Sequence, residues 1–121
     1  MNEKVYTVSE VNRIIKQLIE ANRSFFNIKI SGEISNYRKY PSGHSYFTLK
    51  DKDSVLKAVL FKSRANEVTF TPRDGAQVIA IGRIAVYERD GVYQLYADYL
   101  LESGTGNLML AYDKLKKKLG A

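Results

Sequence analysis

The chain has 121 residues, 45% of them hydrophobic, and carries 19 Lys and Arg against 13 Asp and Glu, a net charge of +6. This length predicts one compact domain. With no Cys and one His, the composition excludes a disulfide framework and a thiolate or His-cluster metal site, so we expect no metal and no other cofactor. No apolar run approaches the roughly 18 residues of a membrane helix, and the N-terminus lacks the apolar core of a signal peptide. We therefore expect a cytoplasmic protein without a membrane partner.

The positive charge is concentrated near the end of the chain. Residues 108–121 hold four Lys against Asp113 alone, so half of the excess lies in this segment. A basic chain favours polyanions as partners, because binding them releases counterions. Charge alone does not separate a nucleic acid from a membrane surface.

The first predicted element is a helix. Thr7 and Glu10 have the spacing of a capping box. Apolar residues then recur at intervals of three and four, at Val11, Ile14, Ile15, Leu18 and Ile19. This helix should end near Asn22. From residue 26 apolar and polar residues alternate, which predicts a long strand with a bulge or sharp bend at Gly32.

The rest of the body shows the period of strands. Residues 36–43 contain Pro, Gly, two Tyr and two basic residues, a composition typical of a loop. Further strands are predicted at residues 44–50, 55–61, 77–87 and 92–101, with a short helix at residues 62–68. Asp90 and Gly91 form a strong turn signal, which predicts a hairpin between the last two strands.

The order of these elements indicates a fold class. Five strands with a helix after the third, and Gly32 and Gly82 inside the long first and fourth strands, favour a mainly β protein with an N-terminal helix, a five-stranded Greek-key barrel of the OB type. We expect this domain to cover residues 1–103. Residues 104–106 then predict a hinge, and the apolar residues Leu108, Ala111 or Tyr112, Leu115 and Leu119 predict the start of a helix. We expect residues 104–121 to lead to a catalytic region absent from this chain.

The outer face of the second and third strands is the first candidate site. In OB barrels this face binds single strands by stacking bases on rings and pairing phosphates with cations. Alternation places the following side chains on that face: His44, Tyr46, Thr48 and Lys50 in the second strand, and Lys57, Val59 and Phe61 in the third. We therefore predict nucleic-acid contacts by His44, Tyr46, Lys50, Lys57 and Phe61.

Basic and aromatic residues elsewhere should flank the same groove. They are Tyr37, Arg38, Lys39 and Tyr40 in the predicted loop, Arg64 in the short helix and Arg89 in the hairpin. A single His more often supports a turn by hydrogen bonding than acts as a base, and we expect this of His44. The alternative interpretation is that the rings are ordinary strand formers and the cations an ordinary solvated surface.

The sequence offers few residues that could catalyse a reaction. One His and no Cys leave no tuned acid and base pair and no activated nucleophile, so we predict no catalytic residue. Asp51 and Asp53 lie where a turn is needed and lack the other oxygen ligands of a calcium loop. Two functional alternatives to single-strand binding remain: a protein-protein assembly module, and an OB domain for RNA or tRNA. We place a complete small nuclease last, because its acidic residues, Asp51, Asp53, Glu88 and Asp90, are scattered over turns.

Five blocks in register carry a resemblance to a known family. They are YTVSEVN at residues 6–12, GEISN at 32–36, SGH at 42–44, YFTLKD at 46–51 and GVYQL at 91–95. Together they resemble the N-terminal OB domain of exonuclease VII large subunits over nearly the whole chain. The resemblance implies binding of single-stranded DNA for a nuclease that degrades it from either end without a divalent metal. It also implies small subunits as partners and a catalytic segment that follows the OB domain.

Overall fold

The computed structural model describes residues 3–103. Its elements are α1 (Val8–Glu20), a 3-10 turn (Arg23–Phe25), β1 (Ile28–Lys39), β2 (Ser45–Lys50), β3 (Val55–Leu60), α2 (Lys62–Ala65), β4 (Gln77–Tyr87) and β5 (Val92–Glu102). The strands form a closed barrel in the order β1-β2-β3-β5-β4, with β3 and β5 parallel and every other pair antiparallel. The predicted five-stranded barrel with a leading helix is confirmed. The predicted hinge and final helix lie outside the described residues.

Alternation along the strands builds the core. The inward positions of the strands hold Ile34, Phe47, Leu49, Ala58, Leu60, Val78, Ala80 and Leu95, all at most 3% exposed. The predicted facing of β2 and β3 is therefore confirmed. Val59 is the exception in burial: it is on the outer face but only 3% exposed, and it lies in register between Tyr46 and Tyr96.

β1 pairs with two strands in succession. Ile28 to Glu33 pair with β4, and Glu33 to Lys39 pair with β2. β1 has no bulge at Gly32, because the register runs through Gly32 and is interrupted between Ser35 and Arg38. Asn36 has a φ of 53° within that interruption. The alternative, a sharp bend at Gly32, stays a prediction. The β4–β5 register shifts between Ile81 and Gly82, where β5 holds one extra residue, Asp98.

The predicted loop at residues 36–43 is shorter than expected. β1 continues through Lys39, so the connection begins at Tyr40. The Tyr40 N–H donates to the His44 carbonyl at 2.9 Å, and the Gly43 N–H donates to the Tyr40 carbonyl at 2.8 Å. The polar composition of this segment concealed a strand whose irregular register absorbs an extra residue.

The leading helix begins with the predicted capping box. The Glu10 N–H donates to Thr7 Oγ1 at 3.0 Å, and the Thr7 N–H donates to Glu10 Oε1 at 3.1 Å. Within residues 3–103, no helix is long and apolar enough to cross a membrane.

α1 covers the part of β4 that extends past its pairing with β1, which stops at Gly82. Glu20 Oε2 accepts the Val86 N–H at 2.9 Å, and Lys16 Nζ donates to the Val86 carbonyl at 3.1 Å. Asn12 Nδ2 donates to the Glu88 carbonyl at 3.0 Å. Polar side chains thus satisfy an edge that would otherwise be free to pair with another strand.

Candidate nucleic-acid interface

Five residues in register form a row across the outside of the barrel, one from each strand. Arg38 of β1 pairs with Tyr46 of β2, Tyr46 with Val59 of β3, Val59 with Tyr96 of β5, and Tyr96 with Arg83 of β4. We call this set the cross-strand row. Arg38, Tyr46 and Arg83 are exposed and Tyr96 is half-buried. An Arg thus lies at each end of the row, and one Tyr ring lies on each side of Val59.

Tyr40 and Tyr46 form the more exposed aromatic pair. Their ring centroids are 5.2 Å apart with planes at 76°, and the side chains are 47% and 42% exposed. With Pro41 and Ser42 they line a shallow notch of about 520 Å³. The predicted outward position of Tyr46 is confirmed, and the notch offers ring faces that a flat base can stack on.

His44 and Phe61 extend the aromatic surface from the end of β3. His44 Nδ1 accepts the Lys62 N–H at 2.9 Å, which leaves the proton of a neutral ring on Nε2. The expected role of His44 in supporting a turn is therefore confirmed. Phe61 lies between two rings, with centroids 5.4 Å from His44 and 5.1 Å from Tyr96, both edge to face.

The predicted cations differ in how far their charge is already compensated. Lys50 Nζ lies 3.6 Å from Glu33 Oε2. Arg64 Nε lies 3.6 Å from Asp98 Oδ1, and its guanidinium is 5.7 Å from the centroid of the Tyr99 ring. Lys57 and Arg38 are exposed and form no ion pair with any other described residue of the range 3–103. Lys57 and Arg38 are therefore better placed to pair with a phosphate than Arg64.

Two of the predicted residues face away from this surface. Tyr37 packs against the core, and its hydroxyl donates to the Oγ of Ser45, which is 0% exposed. Lys39 shares the facing of Tyr37 and lines a crevice with Ala65 and other residues at the end of the barrel. β1 continues through these residues, and alternation turns them away from Arg38. The nucleic-acid contacts predicted for Tyr37 and Lys39 stay predictions, and the structure places both side chains off the face that holds Arg38.

Arg89 is exposed on the β4–β5 turn, at a distance from the cross-strand row. The turn is held against α1, where Arg13 Nε lies 3.9 Å from Glu88 Oε2. At about 3.3 Å per residue, the end of β4 at Tyr87 lies roughly 13 Å beyond Arg83, and Arg89 follows in the turn. The structure does not bring Arg89 into the row.

Sequence reasoning missed Tyr96 and Arg83. Tyr96 alternates with the buried Leu95 and Ala97, so its outward facing was readable from the sequence. The parallel pairing of β3 with β5, which places Tyr96 beside Val59, was not. Arg83 completes the arrangement, with its guanidinium carbon 5.0 Å from the centroid of the Tyr96 ring.

The acidic turn after β2 is structural. Asp51 Oδ1 accepts the N–H groups of Asp53 and Ser54, both at 2.9 Å. These bonds hold the pKa of Asp51 below its ordinary value. The turn interpretation of this segment is confirmed. Within residues 3–103, no group of three or more His, Cys, Asp or Glu side chains is arranged to hold a metal ion.

This chain is similar in sequence to known proteins. Residues 6–100 match the model of a family described as an OB-fold nucleic acid binding domain. The chain is 52% identical over 118 residues to the exodeoxyribonuclease 7 large subunit of Desulfitobacterium hafniense, covering 97% of this chain and 29% of the relative. Against the same subunit of Ruminiclostridium cellulolyticum the identity is 47% over 116 residues, covering 96% and 29%.

A solved structure of asparaginyl-tRNA synthetase from Pyrococcus horikoshii superposes with a TM-score of 0.49 at 16% identity, over 69% of this chain and 21% of the synthetase. The chain spans 29% of the length of the two exodeoxyribonuclease relatives described. The match to the family model covers most of the chain and nearly all of the barrel. The chain therefore belongs to the family of OB-fold nucleic-acid-binding domains.

Proposed function

We propose that this domain binds single-stranded DNA with little sequence preference. The observation that carries the proposal is the pair of exposed rings, Tyr40 and Tyr46, on the same outer surface as Arg38 and Lys57. Within residues 3–103 neither of these cations forms an ion pair. Stacking on a ring contributes about 1 to 3 kcal/mol per base and tolerates any base. The outward positions of β2 hold Tyr46, Thr48 and Lys50, which include no Asn or Gln to read base edges.

Phosphates would be held by the cations around these rings. Arg38 and Lys57 contribute most, because no acid compensates them within the described residues. Lys50, Arg64 and Arg89 add a weaker attraction around the groove, the first two because Glu33 and Asp98 already lie beside them. The His44 Nε2–H is free to donate to a phosphate or a base, since Nδ1 is occupied.

The names of the relatives support a role for the whole protein. We propose that it is the large subunit of an exonuclease VII, which acts in the cytoplasm with small subunits and hydrolyses phosphodiester bonds from strand ends. The domain would deliver single-stranded DNA to a catalytic region outside this chain. Identities of 52% and 47% over nearly all of this chain support the assignment.

Fluorescence anisotropy tests the binding proposal directly. Labelled single-stranded DNA, single-stranded RNA and duplex DNA are titrated with the chain at 50 and 200 mM salt. We expect single-stranded DNA to bind best and its affinity to fall about 7- to 50-fold at the higher salt, as for the release of counterions from two to four phosphates. Equal or tighter binding of RNA would favour the RNA-binding alternative, and no binding at 50 mM would contradict the proposal.

The leading helix favours one second candidate, a protein-protein assembly module. Val8 and Leu18 of α1 are 78% and 69% exposed, and no residue of the helix is buried. Apolar association of this kind persists when salt is raised, whereas phosphate contacts weaken. Sedimentation at 50 and 500 mM salt separates the two functions: a complex equally stable at both would support the assembly module.

A further inference from the structure

Resting on the proposed function, we propose that the bound strand follows the whole cross-strand row, past β2 and β3, onto β5 and β4. In this arrangement Tyr96 stacks with a base and Arg83 pairs with a phosphate. The nucleic-acid site then extends beyond the predicted surface of β2 and β3 by two further strands. The ligand class is single-stranded nucleic acid, held by ring faces and phosphate charge.

The continuity of the row supports this path. Each neighbouring pair from Arg38 to Arg83 is a register pair, so the five side chains follow one line across the strands. With neighbouring strands about 4.8 Å apart, the row spans roughly 19 Å, and Tyr46 and Tyr96 are separated by about 10 Å. These lengths are on the scale of a few nucleotides, within the range that one OB fold binds.

Arg83 has a charge available for a phosphate. It is exposed, and within residues 3–103 it forms no ion pair. The nearby acid Glu20 is already engaged, with Oε2 at 2.8 Å from Lys16 Nζ and 2.9 Å from the Val86 nitrogen. The guanidinium lies over the Tyr96 ring, with its carbon 5.0 Å from the ring centroid. A base that stacks on this ring would release Arg83 toward the adjoining phosphate.

The residues around Tyr96 favour a path of the bound nucleic acid toward Arg83 over a path toward α2. Phe61 packs edge to face against Tyr96 and fixes the plane of its ring. Further along β5, the carboxylate of Asp98 lies beside Arg64. An acid there repels phosphates and compensates the cation that would attract them. Arg83 therefore attracts the phosphates of the bound nucleic acid more strongly than the α2 side does.

The experiment compares variants of the 121-residue chain by anisotropy with labelled oligothymidylate of about 12 nucleotides. Tyr96→Leu keeps an apolar side chain but removes the ring, and we expect about 5- to 150-fold weaker binding. Arg83→Gln should lower the slope of log K against log salt by about 0.7, the value for one phosphate of a single strand. The matched controls are Tyr87→Leu, an exposed ring at the end of β4 and off the row, and Arg13→Gln on α1. Both should stay within about twofold of the unaltered chain at 50 mM salt.

Two outcomes separate this inference from the function on which it rests. In the first outcome, the unaltered chain binds and Tyr46→Ala weakens binding, but neither row variant differs from its control. The path over β5 is then wrong, while the binding function stands. If the unaltered chain does not bind, both proposals fail. Should Tyr96→Leu not fold, ultraviolet cross-linking of a 4-thiothymidine oligonucleotide to the unaltered chain decides: an adduct on the peptide containing Tyr96 supports the path, and adducts confined to β2 and β3 overturn it.

Discussion

The rings of Phe61 and Tyr96 meet edge to face, with centroids 5.1 Å apart and planes at 86°. This contact joins the end of β3 to β5, the one parallel pair of the barrel. Phe61 is therefore both part of the outer surface and part of what holds it together. Tyr46, whose ring contacts only the loop residue Tyr40 among the aromatic residues described, is more exposed.

Tyr46→Ala should weaken binding of single-stranded DNA by about 1 to 3 kcal/mol, because one stacking face is lost. The fold should be retained, since Tyr46 is 42% exposed and lies on the outer face. Anisotropy gives the affinity, and circular dichroism checks the fold. Tyr6→Ala, which alters another exposed ring, is the control. Loss of the folded spectrum in Tyr46→Ala would show that this ring is structural.

Phe61→Ala should weaken binding and also lower the free energy of unfolding. It removes edge-to-face contacts with His44 and Tyr96, each worth about 0.5 to 1.5 kcal/mol beyond the area buried. Urea unfolding measures the stability, and anisotropy the affinity. Phe61→Leu is the companion variant, which should recover part of the stability but not the stacking. A Phe61→Ala variant as stable as the unaltered chain would contradict the role assigned to these contacts.

Glu20→Gln should destabilise the chain at pH 7 by about 1.5 to 3 kcal/mol, the scale of hydrogen bonds to a charged group. Burial raises the pKa of Glu20, but the bonds from Lys16 and the Val86 N–H and the charges of Lys16 and Arg83 outweigh it and hold the pKa below the ordinary 4.5. A depressed pKa contributes stability above the unfolded value, and this contribution is lost as the pH falls through the folded pKa.

The difference between Glu20→Gln and the unaltered chain should therefore be full at pH 7 and shrink below about pH 4. Urea unfolding at pH 7, 5 and 3 measures it. Glu3→Gln, which alters an exposed acid before α1, is the control and should show no such trend. An equal difference at pH 7 and pH 3 would assign the effect to shape rather than charge.

The 121-residue chain should not hydrolyse DNA by itself. Phosphodiester cleavage needs a positioned nucleophile and stabilisation of the developing charge, commonly by metal ions or by clustered acids, bases and Arg. Within residues 3–103 no group of three or more His, Cys, Asp or Glu side chains is placed to hold a metal ion. Incubation with end-labelled single-stranded DNA, with and without chelator, measures any product. Activity that copurifies with the chain and is abolished by Tyr46→Ala would contradict the prediction.

Much of the barrel was readable from the sequence because its signals are local. The capping box of α1, the alternation of β2 and the turn at Asp90 and Gly91 each depend on neighbouring residues, and all three stand in the structure. The segment after Asn36 was misread because its polar and aromatic composition resembles a loop. The structure keeps it in β1, where the irregular register at Asn36 turns Tyr37 toward Ser45.

The candidate site was harder to predict than the fold, for a physical reason. Alternation gives the face of a side chain but not the strand beside it. The shared outer face of Tyr46 and Lys57 could be predicted because β2 and β3 are consecutive and pair in register. Tyr96 and Arg83 depend on the parallel pairing of β3 and β5, which brings together residues far apart in the chain. Charge compensation, such as Asp98 beside Arg64, likewise appears only in three dimensions.

The cross-strand row takes one residue from every strand of the closed barrel. No hairpin or pair of strands carries it, so it depends on four strand pairings at once, β1–β2, β2–β3, β3–β5 and β5–β4. A ligand held along it acts as a tie around the barrel, with stabilisation that grows as the logarithm of its concentration, about 2.7 kcal/mol at 100 times the dissociation constant.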